Sequence, residues 1–119
     1  HPRYPEIFAL GDVCNTSNAK TAAAARKQVV VVADNLLALR SNAPLPKRYD
    51  GYGSCPLTVE KGKVILAEFG YGGKLLPTFP LDPTVARKSA WLLKATLLPW
   101  FYWHGMLKGR EWFTDCKPD

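Results

Sequence analysis

Two places in this 119-residue chain put reactive side chains where chemistry needs them: a cysteine ringed by glycines and a proline, and a carboxylate closing an apolar run. Cys55 stands in Tyr49-Asp50-Gly51-Tyr52-Gly53-Ser54-Cys55-Pro56, which reads as a tight loop entering a strand. An accessible thiol becomes a good nucleophile when a cation lowers its pKa, and Lys47 and Arg48 are the nearest candidates in sequence. Exchange with sulfur species also requires a second thiol. Neither Cys14 nor Cys116 has an evident claim to be that partner, and an incidental loop cysteine is the plain alternative.

The carboxylate is Asp12. Ile7-Phe8-Ala9-Leu10-Gly11-Asp12 predicts a short buried strand over residues 6–12, with Asp12 at the carboxyl end of a sheet, where open α/β folds hold ligands. Gly11 has no Cβ and lets a ligand or backbone approach closely. Asp12 can accept hydrogen bonds from a sugar or polyol hydroxyl. A helix opening at Ala19-Lys20-Thr21 would aim free N–H groups and a partial positive charge at the same corner. The alternative for Asp12 is a helix cap or turn former.

A third feature is the stretch from Thr84 to Arg110. It carries Arg87, Lys88, Lys94, Lys108 and Arg110 with no acidic residue, among Trp91, Leu97, Leu98, Trp100, Phe101, Tyr102 and Trp103. Basic, Trp-rich amphipathic helices suit a bilayer interface. Leu97 to Trp103 is far short of the ~20 apolar residues that crossing takes. A helix pair packed on its own domain, with its charges solvated, is the alternative. Base stacking on nucleic acid fits the charge but not the contiguous, bulky apolar residues, so no nucleic-acid partner is expected.

Elements must position these groups. The chain is 47% hydrophobic and 22% charged, enough for one small domain and unlike a disordered tail. Its net charge of +6 implies an anionic surface or ligand. Three widely spaced cysteines form no disulfide framework or zinc motif. The chain starts without methionine or an apolar leader, and it is expected to be a piece of a larger protein. Asn15-Thr16-Ser17-Asn18 offers N-capping side chains to a helix over residues 19–41, which Pro44 and Pro46 end. Lys61-Gly62-Lys63 predicts a hairpin turn between Leu57–Glu60 and Val64–Phe69. Asp82-Pro83 predicts a second helix from Thr84 to about Leu98, kinked or ended by Pro99, with a short piece from Trp100 to Leu107.

In this order the residues resemble a known family. The Gly-Asp corner is similar to the second flavin-binding motif of flavoproteins with two dinucleotide-binding domains. Phe8-Ala9-Leu10-Gly11-Asp12-Val13, Ala19-Lys20-Thr21-Ala22, Gly51-Tyr52-Gly53-Ser54-Cys55-Pro56-Leu57, Glu68-Phe69-Gly70-Tyr71 and the basic aromatic tail together resemble the C-terminal portion of mitochondrial-type sulfide:quinone oxidoreductases. The resemblance spans essentially the whole chain.

It implies an α/β fold: residues 1–45 as the end of an FAD-binding domain, 46–80 as the redox-cysteine loop and a β segment, and 81–119 as amphipathic membrane-associating helices. It further implies that Gly11 and Asp12 hold the FAD ribityl chain, with Lys20 and Thr21 near the flavin N1–C2=O edge. Cys55 is then one of two redox cysteines, its partner lying in the rest of the flavoprotein chain. Phe69, Tyr71 and Phe79 would wall a quinone pocket, and Trp91, Trp100, Phe101, Tyr102 and Trp103 would touch the membrane. The implied partners are hydrogen sulfide, ubiquinone and a small sulfur acceptor, which Lys88 or Lys94 could attract. The implied place is the surface of the mitochondrial inner membrane, in a peripheral or monotopic manner. No metal is expected. No activity is expected of the piece alone. A type II NADH dehydrogenase-like fragment, which needs no cysteine, and a non-catalytic membrane-surface module are the competing readings.

Overall fold

The longest element is a helix whose inward stripe is half polar. The computed structural model describes residues 1–110 and 112–116, so Glu111 and residues 117–119 of the expected 81–119 segment lie outside the described residues. Helix α1 spans Ala22–Arg40, and Thr21 caps it by accepting a hydrogen bond from the Ala24 amide at 3.1 Å. The cap is therefore Thr21 and not one of residues 15–18. Asn18 is instead buried, its amide donating to the Ala19 carbonyl. Ala24, Lys27, Gln28, Val31 and Asn35 are the buried residues, spaced along one face of the helix. The valine run stays helical because it continues that face between good helix formers. Asn42 turns left-handed (φ 52°) and the Ala43 amide closes on the Ala38 carbonyl at 2.9 Å, ending the helix before Pro44.

Strands β1 (Gly53–Glu60) and β2 (Lys63–Phe69) form an antiparallel hairpin through a turn at Gly62 (φ 82°). The hairpin begins earlier than expected, so Cys55 lies within β1, opposite Ala67, instead of in a loop before it. Tyr71–Gly73 then forms a 3-10 turn.

Residues 6–12 form no strand, which corrects the sequence reading. Among the described residues the sheet has two strands, both in the hairpin, and this segment pairs with neither. Gly11–Val13 closes into a 3-10 turn, Phe8 and Leu10 are half-buried and Ile7 is exposed.

The second helix also starts later. Asp82 Oδ1 accepts from the Thr84 amide at 2.8 Å and its hydroxyl at 2.6 Å, but this closes only a turn. Arg87 is extended and exchanges backbone hydrogen bonds with Val64 at 2.9 and 3.2 Å, which prevents helix before Lys88. Helix α2 (Lys88–Leu92) then runs through a π-helical stretch, Leu93–Leu97, into α3 (Leu98–His104). Pro99 does not end it. The wider π turns accommodate a residue that lacks an N–H and crowds the carbonyl four residues earlier.

The fold is thus α/β, a two-stranded antiparallel sheet with α1 and the C-terminal helices. The buried apolar side chains among the described residues are Ala24, Val31, Val64 and Ala90, which leaves much apolar surface facing solvent.

Candidate functional site

Strand alternation divides the hairpin into two faces with different surroundings. One carries Gly53, Cys55 and Leu57, opposite Phe69, Ala67 and Ile65. A Cβ added at Gly53 would meet Phe69 at 3.3 Å and the Ala19 Cβ at 3.4 Å, so this face lies against the chain entering α1. Cys55 is a half-buried free thiol on it. Of the two expected activating cations, Lys47 is engaged elsewhere, its ammonium pairing with Asp34 at 2.8 Å, which raises its pKa, and its backbone held by Asn35 at 3.0 and 2.8 Å, while the Arg48 charge acts on Tyr71. Lys94 reaches the Cys55 strand, donating to the Pro56 carbonyl at 2.8 Å and Thr58 Oγ1 at 2.9 Å. That engagement ties the helix to β1, whereas Lys88, the other residue expected to attract an anionic acceptor, is exposed.

Beside the first turns of α1 lies the Gly-Asp corner. Gly11 is left-handed (φ 70°) and its amide donates to Gln28 Oε1 at 2.7 Å, which fixes the 3-10 turn on the helix. Where its Cβ would stand, only Ala25 Cβ comes as near as 4.0 Å. Asp12 is exposed, and Thr21 opens the helix whose first amides, at Ala22 and Ala23, have no intrahelical acceptor. An open cradle with an exposed carboxylate and free helix amides fits a polyol chain attached to a carbonyl-edged ring. Lys20 turns away from that corner, its ammonium donating to the Thr16 carbonyl at 2.6 Å, Thr16 Oγ1 at 3.1 Å and Asn18 Oδ1 at 3.4 Å.

The opposite hairpin face carries Pro56 and Thr58, opposite Leu66 and Val64, and continues to Glu68. Against it α2 and the 79–87 segment line a mainly apolar, half-open cavity of about 210 Å³, whose walls include Leu66, Phe79, Leu81, Ala90 and Leu93. Glu68 and Arg87 are also part of the wall. Glu68 is 3% exposed. Its carboxylate accepts from Tyr52 Oη at 2.6 Å, from the Thr78 amide at 3.0 Å and from the Thr78 hydroxyl. Burial, then the hydrogen bond to Glu68, pushes the Tyr52 phenol up to about 12. The buried Lys27 ammonium lies 4.3 Å from the centre of the Tyr52 ring, 3.5 Å from Asp50 and 2.9 Å from the Asp115 carbonyl.

The three expected quinone-wall residues are not brought together. Phe79 lines the cavity, Phe69 lies on the Cys55 face, and Tyr71 packs edge-on to Tyr49 at 6.0 Å and covers Gly51. The five expected membrane residues also divide. Trp100, Tyr102 and Trp103 face solvent, Trp103 at 63% exposure, together with Leu92, Leu97, Leu98 and Leu107. Trp91 is half-buried. Phe101 turns inward, stacked on Trp112 at 5.2 Å with the Arg26 guanidinium 5.1 Å from its ring centre. Among the described residues no helix is long and apolar enough to cross a membrane.

Over 113 residues the chain is 42% identical to "Sulfide:quinone oxidoreductase, mitochondrial" of Dictyostelium discoideum, a match that covers 95% of this chain. The chain matches a segment of mitochondrial sulfide:quinone oxidoreductases. The mouse protein of the same name is 41% identical over 92% of this chain, and that of Schizosaccharomyces pombe 35% over 93%. This chain spans about a quarter of the length of these sulfide:quinone oxidoreductases, 25%, 24% and 25% respectively. No family model matches it.

Sequence reasoning missed Gln28, Lys27, Glu68 and Arg87. Two of these left a signal. Lys27 falls in the buried stripe with Ala24 and Val31, and Glu68 shares strand parity with the buried Val64, so each is a charge where the pattern calls for an apolar side chain. Arg87 left none, because its place depends on the pairing with Val64.

Proposed function

We propose that this chain is the part of a sulfide:quinone oxidoreductase, a two-dinucleotide-domain flavoprotein, that carries one redox cysteine, one wall of the FAD site and the membrane foot. The observation that carries this reading is the hairpin itself. It presents Cys55 toward the α1 entrance and lines an apolar cavity against the foot helices on its other face.

Residues 1–45 complete the FAD-binding domain. Gly11 lets the ribityl chain approach, Asp12 accepts its hydroxyls, and the α1 N-terminus with Thr21 faces the electron-rich ring edge. FAD, when bound, takes up the two electrons released by sulfide and delivers them to quinone. In residues 46–80, Cys55 is paired in the full-length protein with a cysteine outside this chain. Hydrosulfide attacks that disulfide, one S–S bond forms as the other breaks, and the displaced thiolate leaves with the electron pair. The sulfane sulfur then passes to a small thiol or sulfite acceptor. The quinone ring enters the cavity behind the hairpin from the membrane, and Phe79 is one of its walls. In residues 81–119, Trp100, Tyr102 and Trp103 sit at headgroup level on the mitochondrial inner membrane.

The test is sulfide-dependent quinone reduction by the full-length protein, Cys55 against Cys55→Ser at equal flavin content. A fall of about a hundredfold or more with flavin retained is expected. Unchanged sulfide oxidation makes Cys55 a strand residue without a chemical role. Activity with NADH that ignores the substitution favours a type II NADH dehydrogenase-like protein.

A further inference from the structure

The hairpin face that carries Cys55 is covered at one end and bare at the other. From Gly53 to Leu57 on β1 and from Ile65 to Phe69 on β2 it holds no polar side chain except the thiol. A sheet face that stays in water alternates to polar residues, so this face is built to be covered. Its Gly53 end is covered by the chain entering α1, since a Cβ there would meet the Ala19 Cβ at 3.4 Å. Further along, Cys55 is half-buried. Leu57, opposite the half-buried Ile65, is 47% exposed, and Val59 beyond it is 52% exposed. The outer edge of β1 is a poor template for a further strand. Pro56 has no N–H to offer, and Lys94 already holds its carbonyl and Thr58 Oγ1.

We propose that the open end of this face, Leu57 with Ile65 and Val59, docks the segment of the full-length protein that carries the second redox cysteine, and so positions that thiol on Cys55. The inference rests on the reading of Cys55 as one of a redox pair whose partner lies outside this chain, and it adds the surface that brings the two together. Most of such a protein lies outside this chain, which spans about a quarter of the length of its relatives. A disulfide needs its two Cα atoms within about 4.4–6.8 Å of each other. Two steps along a strand cover about 6.8 Å, so Leu57 is no farther from Cys55 than the partner backbone must come. On the Gly53 side of Cys55 that space is taken by Ala19. A backbone that delivers a thiol to Cys55 therefore crosses Leu57, and apolar side chains on it bury Leu57, Ile65 and Val59. Docking there raises the effective concentration of the second thiol and favours the disulfide over two separate thiols.

The test equilibrates the full-length flavin-loaded protein in glutathione redox buffers. Peptide mass spectrometry after acid quenching reads the fraction of Cys55 bonded to a second cysteine of the chain. Leu57→Ser and Ile65→Thr are each expected to make that disulfide about tenfold less favourable, a shift of about 30 mV for this two-electron couple. Leu57→Met keeps an apolar side chain of similar volume and should stay within about twofold of the parent. An equilibrium unchanged in both Leu57→Ser and Ile65→Thr overturns the docking role of this face. Hydroxyl-radical footprinting of the parent gives a reading without any substitution. Oxidation of Leu57 and Val59 should be strongly suppressed relative to the unfolded chain, and dilution should not change it. Oxidation at the unfolded rate means a bare face, and protection lost on dilution means a second copy covers it; either result overturns the proposal. The underlying reading fails separately, if the parent keeps Cys55 as a free thiol in every buffer or bonds it to Cys14 or Cys116, and the inference then falls with it.

Discussion

The two faces of the hairpin are built from the same two strands and differ in nearly every physical respect. The face with Cys55 is flanked by Gly53 and Ala67, small residues that let the α1 entrance approach closely. The other face buries Val64 completely and surrounds one carboxylate, Glu68, with donors beside an apolar cavity. A period-2 backbone makes this division without any long-range design: each residue belongs to one side, and a one-residue slip would exchange them. Under the proposed function, this division keeps a soluble sulfur reaction and a lipid-soluble oxidant on separate sides of a thin element.

Glu68 is where the comparison is easiest to break. Glu68→Ala leaves the Tyr52 hydroxyl, the Thr78 amide and the Thr78 hydroxyl without their acceptor. A loss of about 2–3 kcal/mol is expected, read as a lower thermal midpoint of the full-length protein, because three hydrogen bonds to a buried charged acceptor are lost, from the half-buried Tyr52 and the exposed Thr78. Phe79 follows Thr78 directly, so quinone binding should weaken as well. A midpoint within a degree of the parent would mean that the donors find water. On the other face, Gly53→Val drives a branched side chain into Phe69 and Ala19, at about 2 kcal/mol. Its signature is different: flavin content falls while decylubiquinone still binds. Loss of both together would show that the hairpin does not separate its faces.

Much of this was legible in the chain, and what was not has physical causes. The long helix, the Gly62 turn and the α/β character follow from local propensity and turn chemistry, which need no knowledge of the rest of the protein. The expected strand over residues 6–12 failed because a strand is a relation between segments, and among the described residues no strand pairs with it. Helix α2 starts at Lys88 because Arg87 is claimed by Val64, twenty-three positions away. The site divides in the same way. Cys55, Gly11, Asp12 and Thr21 were visible as residue types in local context. Arg87 and the Lys94 contacts arise from tertiary packing and had no local mark.

Tyr52 couples the two faces through a titratable group. Tyr52→Phe removes the 2.6 Å hydrogen bond to Glu68, with an expected cost of about 1.5 kcal/mol. The pH dependence has a definite sign. With the folded phenol raised from 10.0 to about 12, the unfolded chain loses this proton first. Its contribution to stability is complete below about pH 10 and disappears as pH rises toward about 12. Midpoints of the parent should therefore fall more steeply with pH across that window than those of Tyr52→Phe. Some decline remains in the variant, since burial raises Tyr49 too. Identical slopes would mean that the Tyr52 phenol is no more buried than in the unfolded chain.

Lys94 gives the smallest effect and the sharpest distinction between foot and hairpin. Its two hydrogen bonds, at 2.8 and 2.9 Å, join the π-helical stretch to β1 one and three residues beyond Cys55. Lys94→Met keeps the hydrocarbon stem and removes the donors, at about 1 kcal/mol. The thermal midpoint should drop slightly, and Thr58→Val, which removes one acceptor, should drop it less. Co-sedimentation of the full-length protein with anionic vesicles should hardly change, because Trp100, Tyr102 and Trp103 remain exposed on the far part of the helix. If vesicle binding instead falls as it does for Lys108→Met, whose side chain is exposed, Lys94 serves the membrane as one more surface cation. The foot would then be held to the hairpin through β2, by the Val64–Arg87 backbone pairing and apolar packing at Ala90, and the Cys55 strand would not feel where the foot is seated.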